Sequence, residues 1–175
     1  MITLLGRKAL IIDITAARYR VFYDQFLEKL RNATLPSQQL LFPEKIQIGL
    51  SDQALLKEYE GWFATAGFDV RAEKNSSEFT LVGAPMLLTP EEAMPALEEL
   101  LEQLKSLDSE SIESALLKSF AKTLSKKAAN SEFTKTKEAL QALKEQLLSS
   151  SNPQYSPSGK KVIRELAPED LESLL

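Results

Sequence analysis

Apolar and polar positions alternate between two periods along the chain, and each switch of period marks an element. Ile2 to Leu5 and Lys8 to Ile12 are short apolar segments on either side of Gly6-Arg7. That predicts a tight β-hairpin, with Gly6 supplying a positive φ. Leu10-Ile11-Ile12 is wholly apolar, the pattern of a buried strand, and Asp13 closes it. Beyond Asp13 the period lengthens. Tyr19, Tyr23, Phe26 and Leu30 recur at helical spacing, so a helix reaching about Asn32 carries an aromatic stripe toward a core. An acidic residue where a buried strand meets a helix is rigidly held and suited to chemistry.

Thr34-Leu35-Pro36-Ser37 reads as a connector. Gln38-Gln39-Leu40-Leu41-Phe42-Pro43 is apolar but bounded by Pro36 and Pro43, which allows only an edge strand or an isolated extended segment. Lys45 to Leu50 alternates as a strand, and Ser51 is a suitable N-cap for a helix carrying Leu55, Tyr59, Trp62, Phe63 and Ala66, with Gly67 at C′. Phe68 to Ala72 and Phe79 to Val82, about an Asn75-Ser76-Ser77 turn, predict a second hairpin. Thr89-Pro90-Glu91-Glu92 is a helix start with a capping box, ahead of a stripe of Met94, Leu97, Leu101 and Leu104. After a polar linker from Lys105 to Ser111, helices are expected over about 112–128 and 134–148, the second buried through Leu140, Leu143 and Leu147. A loop from Tyr155 to Gly159, a strand from Lys161 to Leu166 and a short helix opened by Pro168 complete the chain. This order predicts an α+β fold. The late strand has no local partner and must return to the N-terminal hairpin, so the middle of the chain is an insertion into a domain built from both ends.

Composition adds exclusions. At 175 residues the chain can form one domain or two small ones, and 43% hydrophobic with 26% charged residues is ordinary for a globular protein. No run approaches the roughly 18 apolar residues of a membrane span. No basic-then-apolar leader follows Met1, an expectation against secretion. Cysteine and histidine are both absent, which removes thiol chemistry, the usual zinc ligands and the commonest general base. A net charge of −4 argues against a protein that grips nucleic acid over its whole surface. Charge is nevertheless uneven, with Lys118, Lys122, Lys126 and Lys127 clustered ahead of Lys135 and Lys137. Lys118, Lys122 and Lys126 share one helix face, either a solvated face or a salt-sensitive contact with DNA phosphates. Asp13 and Asp24 offer the other candidate chemistry. They are either two carboxylates for a hard cation such as Mg²⁺ or Mn²⁺, or a helix cap and a surface charge.

Four segments together resemble the C-terminal domain of the MutL family of DNA mismatch-repair proteins: LIIDITAARYRVFYDQFL, QQLLFPEKIQI, GFDVRAEKNSSEFTLVGAPMLL and NPQYSPSGKKVIRELAPEDLESLL. They span essentially the whole chain. In nuclease-active members the first segment reads DQHA-x-x-E followed by a second Glu. The resemblance places the first Asp at Asp13, Ile14-Thr15 in place of Gln-His, Tyr19 in place of the first Glu and Asp24 in place of the second. Ala121, in Phe120-Ala121-Lys122, stands where an Ala-Cys-Arg-like motif has its Cys, and Ser156-Pro157-Ser158-Gly159 stands for Cys-Pro-His-Gly. With every Cys and His ligand gone, the resemblance implies a member without the endonuclease, Asp13 and Asp24 being vestigial. A degenerate metal-dependent nicking enzyme using Asp13, Asp24 and Glu28 is the alternative reading.

The resemblance further implies a homodimer. Its dimerisation subdomain comprises residues 1–37 and 115–175, with an external subdomain over 38–114. The first hairpin, the first helix and the C-terminal leucines are the candidate dimer surface. Gln38, Leu40, Leu41, Phe42 and Pro43 match a segment that resembles peptides docking on the replicative sliding clamp, with Gln38 bonding and Leu41 and Phe42 filling pockets. The other reading of these residues is that they pack into their own domain. Other mismatch-repair proteins are implied partners, and a cytoplasmic location at the bacterial nucleoid follows. No metal and no cofactor is expected here. ATP and Mg²⁺ belong to an N-terminal ATPase region whose motifs this chain lacks, so a fragment of a longer protein is expected.

Overall fold

The computed structural model describes residues 1–6, 8–72, 78–105 and 112–166. In chain order the elements are β1 (Ile2–Leu5), β2 (Lys8–Ile12), α1 (Ile14–Asn32), β3 (Ser37–Ile46), α2 (Leu50–Glu58), α3 (Glu60–Thr65), β4 (Asp69–Ala72), β5 (Phe79–Pro85), α4 (Pro90–Lys105), α5 (Ile112–Asn130), α6 (Lys137–Leu148) and β6 (Ile163–Glu165). The fold is α+β. Two compact units divide the chain, Met1–Asp24 with Ala128–Leu175, and Gln25–Lys127, the divisions falling inside α1 and α5. Among the described residues no helix is long and apolar enough to cross a membrane.

The first unit carries an antiparallel sheet of order β1-β2-β6. The late strand does return to the hairpin, pairing Leu10 with Glu165 and Ile12 with Ile163. Backbone bonds from Asp13 N–H to the Val162 carbonyl (3.0 Å) and from Leu166 N–H to the Ala9 carbonyl (2.9 Å) extend that pairing. Because side chains alternate across a strand, Leu10, Ile12 and Ile163 share one face. They pack on Ala16, Ala17 and Val21 of α1 and on Leu143 and Leu147 of α6. Small residues at 16 and 17 let the helix backbone lie close to the sheet. The opposite face presents Ile2 and Leu4, 62% and 67% exposed, across from Ile11 and Ala9.

Two arginines of α1 are buried, Arg18 at 7% and Arg20 at 8% exposure, although neither stands out in the hydrophobic pattern. The Arg18 guanidinium donates to the carbonyls of Ala128 (2.9 Å), Ala129 (2.8 Å) and Ser131 (2.8 Å) at the end of α5, and to Ser131 Oγ (3.1 Å). These are carbonyls that a helix C-terminus leaves without intrahelical partners, at the negative end of its dipole. Phe133 and Phe22 flank the cation at 4.7 and 5.6 Å from their ring centroids. Burial lowers the Arg18 pKa, but a guanidinium remains charged at neutral pH.

The second unit carries a sheet of order β3-β5-β4. Its core includes Phe63, Leu81, Leu97, Leu101, Leu116, Phe120 and Leu124, with the Phe63 ring edge-on to Phe120 at 5.3 Å. Gln103 of α4 bonds Thr123 (3.0 Å) and Ser119 of α5, satisfying a buried polar layer between the two helices. Gly67 has φ +90° after α3, and a Cβ there would meet the Leu35 and Pro36 carbonyls at 3.3 Å, so both conformation and space require glycine.

The boundaries differ from the sequence pattern in three places. The segments around Pro43 are one strand, because a register shift between Gln39 and Glu44 frees the proline from donating to β5. Lys45 to Leu50 is therefore not a separate strand; β3 ends at Ile46, where its partner β5 begins at Phe79. Ser51 does not cap α2. Gly49 occupies the N-cap position without a side-chain bond, and Tyr59 (φ −104°, ψ 18°) interrupts the expected single helix. At α4 the Thr89 N–H does donate to Glu92 Oε2 (3.1 Å), and Thr136 caps α6 through Ala139 N–H (3.2 Å). The Asn75-Ser76-Ser77 turn, the linker beyond Lys105 and the helix opened by Pro168 lie outside the described residues.

Arg18→Met keeps much of the apolar contact but leaves the α5 carbonyls without donors. It is expected to lower the unfolding free energy by about 3 kcal/mol in a urea titration against the unmodified chain.

Candidate functional site

The junction of β2 and α1 is built around Asp13. Its Oδ1 accepts the Ala16 N–H at 2.9 Å, the third amide of α1, while its own carbonyl accepts from Ala17 N–H at 2.8 Å. Asp13 is thus the N-cap of the helix. Its Oδ2 accepts the Lys160 ammonium at 2.6 Å. Burial disfavours the charged carboxylate, but the Ala16 amide, the Lys160 bond and charge, and the Thr15 amide together outweigh it and hold the pKa below 3.8. Lys160 is held by a tight loop in which its N–H donates to Ser156 Oγ (3.2 Å) and Ser156 Oγ lies 3.0 Å from Ser158 Oγ, with Gly159 at φ +81°.

Asp24 is committed in the same way. Its carboxylate accepts the Ser151 N–H (2.7 Å) and Oγ–H (2.9 Å), and Arg20 of the preceding turn (3.3 Å). Arg20 in turn donates through Nε to the Tyr155 carbonyl at 2.8 Å. Glu28 is exposed. Among the described residues no three Asp or Glu side chains gather into a group able to hold a metal ion.

A different geometry surrounds Gln38 to Pro43. β3 lies at the edge of its sheet, and the four residues between Gln39 and Glu44 sit in the register shift. Leu40 turns inward at 8% exposure, whereas Leu41 and Phe42 stand out at 91% and 83%. The Gln38 amide is already used, donating to the Leu88 carbonyl at 2.7 Å. Gln38 and Leu40 therefore anchor the strand, while Leu41 and Phe42 are presented. On α5, Lys118, Lys122 and Lys126 are all exposed, and Lys126 lies 3.7 Å from Glu99.

A family model described as the MutL C terminal dimerisation domain matches residues 3–136. The chain belongs to the MutL C-terminal dimerisation domain family. Proteins named DNA mismatch repair protein MutL are similar over most of its length. That of Flavobacterium psychrophilum is 32% identical across 93% of this chain, that of Geotalea daltonii 25% across 97%, and that of Phocaeicola vulgatus 28% across 94%. This chain spans 26%, 28% and 26% of those relatives, about a quarter of each. Against the motifs of nuclease-active MutL C-terminal domains quoted above, Ala121 is fully buried in an apolar core. Asp13 reaches the serine loop through a lysine cation, and Tyr19 is buried on α1.

The Arg18, Arg20 and Lys160 contacts carry no periodic signal in the sequence. Lys160 follows directly after the Ser156–Gly159 motif, which is the one local hint. Since the Asp13 pKa is depressed in the folded state, its contribution to stability is present above 3.8 and is lost as pH falls through and below that value. Lys160→Met should cost up to about 1 kcal/mol at neutral pH, as expected for a partly exposed pair. The difference from the unmodified chain should close as pH is lowered through the Asp13 titration, measured by urea unfolding across pH.

Proposed function

We propose that this chain is the homodimerisation and partner-docking module of a DNA mismatch-repair MutL protein, linking mismatch recognition to downstream strand removal. The observation that carries the reading is the open face of the β1-β2-β6 sheet. Ile2 and Leu4 are exposed there beside Ile11 and Ala9, a contiguous apolar row rimmed by Arg164. Soluble chains rarely leave such a row uncovered. A second copy related by a two-fold axis would cover it with the same residues, as a self-complementary interface requires. The family description and the names of the relatives support that choice of occupant. The C-terminal leucines lie outside the described residues. In this reading the ATPase, with its ATP and Mg²⁺, belongs to another region of the longer protein, which acts in the cytoplasm at the nucleoid. The domain itself has no nuclease activity. The way Asp13 and Asp24 are committed favours that over the nicking alternative.

In sedimentation at micromolar concentration the unmodified chain should run as a dimer. The double variant Ile2→Glu, Leu4→Glu should run as a folded monomer with unchanged circular dichroism. A monomeric unmodified chain would overturn the reading.

The replicative sliding clamp is the second partner in this proposal, docking on the protruding Leu41-Phe42 pair. Extended segments that present apolar side chains from a sheet edge suit pockets on a partner. Leu41→Ala with Phe42→Ala should weaken clamp binding at least about tenfold in Kd by surface plasmon resonance, while leaving the melting temperature unchanged. Gln38→Ala should instead lower the melting temperature.

A further inference from the structure

We infer that the cleft between the end of α1 and α3 docks an acidic peptide segment of a partner protein, with Arg31 holding a carboxylate and Trp62 receiving the apolar side chain beside it. The cleft, of about 470 Å³, lies wholly within the second unit. Leu30, Arg31 and Thr34 line one side of it, and Gly61, Trp62 and Thr65 of α3 line the other. Its charge has one sign. Arg31 is exposed and no carboxylate lines the cleft, whereas the nearby Lys57 and Glu60 line a different cavity. Among the described residues neither the Arg31 guanidinium nor the Trp62 indole N–H has a hydrogen-bond or ion-pair partner. The Thr65 hydroxyl is spent on the Gly61 carbonyl, to which it donates at 2.9 Å. A cation kept clear of acids in a chain of net charge −4 has a partner's anion as its complement.

Gly61 points the same way. Its φ is not left-handed and a Cβ there would meet nothing within 4 Å, so neither conformation nor packing requires glycine in α3. Glycine weakens a helix interior relative to alanine. What its missing side chain provides is open space in the cleft wall next to Trp62. The tryptophan is half-buried, held in place while still offering ring surface. Trp and Arg are the side chains that most often anchor protein interfaces, Trp through apolar area and Arg through a bidentate grip on a carboxylate. Leu30 and Arg31 also belong to the last turn of α1. Carbonyls of a helix's last turn lack intrahelical partners and are acceptors for the amide N–H groups of an incoming chain, which favours a peptide over an isolated carboxylate.

Trp62 is the one tryptophan of the sequence, so its emission reports on the cleft directly. The test is a fluorescence titration of the full chain with the synthetic peptide acetyl-Asp-Asp-Phe-Asp-Asp-amide, compared with versions carrying Ala for Phe or Lys for every Asp. The first peptide should change Trp62 emission saturably with a Kd below about 1 mM, and both comparison peptides should bind at least about tenfold more weakly. Arg31→Gln should weaken binding at least about tenfold, as should Gly61→Leu, whose added side chain enters the cleft. If circular dichroism shows Gly61→Leu unfolded, Arg31→Gln on the exposed last turn of α1 decides alone. The inference is overturned by no saturable change in emission, by equal affinity for either comparison peptide, or by unchanged affinity in folded Arg31→Gln. Leu41→Ala with Phe42→Ala should leave the titration as it is, which separates this site from the clamp reading; lost binding in that variant would place the peptide on β3 instead and overturn the inference.

Discussion

The first unit depends on bringing residues more than a hundred positions apart into contact across a small core. The buried cluster there draws on nine residues of β2, α1, α6 and the β6 strand region. Burial of that size offsets chain entropy only if the two ends of the chain are fastened at several points. α1 supplies the fastenings. Arg18 closes the end of α5, Arg20 holds the Tyr155 carbonyl, Asp24 holds Ser151 and Asp13 holds Lys160. A helix that reads as amphipathic is thus also a rod of polar ties, three of them to backbone groups and the one at Asp13 to the Lys160 ammonium.

The same ties occupy the acidic positions Asp13 and Asp24. A carboxylate that binds a metal must keep lone pairs free and face other ligands across a few ångströms. Asp13 instead divides its oxygens between a helix amide and an ammonium, and Asp24 spends both of its oxygens on one serine and a neighbouring arginine. The Ser156 and Ser158 hydroxyls bond to each other, and Ser156 Oγ accepts the Lys160 N–H, which keeps the loop in a compact turn. At this junction a lysine supplies the positive charge beside Asp13.

The second unit shows the opposite balance, with a deep apolar core and an outer edge left open. β3 tolerates Pro43 because the strand lies at the sheet edge and bulges there, and the bulge turns Leu41 and Phe42 away from the core that holds Leu40. One backbone irregularity therefore accommodates a proline and displays an apolar pair. α5 is a similar case of selection by burial, since its exposed positions among the described side chains are Ser114, Lys118, Lys122, Lys126 and Asn130, at intervals of four.

Local periodicity determined the existence and type of most elements, the closing role of Asp13, the glycine after α3 and the need for the late strand to rejoin the N-terminal hairpin, because these follow from side-chain spacing and from unpaired strand edges. The family was legible too, through the order and spacing of segments that are individually unspecific. Only the tertiary structure decided which face of Gln38 to Pro43 is presented, that Gly49 rather than Ser51 begins α2, and that Arg18 and Arg20 are buried. Tertiary structure also decided that Asp13 and Asp24 are occupied by Lys160 and Ser151. The reason is physical. Periodicity records which residues avoid water, but the partner of a buried charge is chosen by long-range packing, which brings together groups the sequence keeps more than a hundred residues apart.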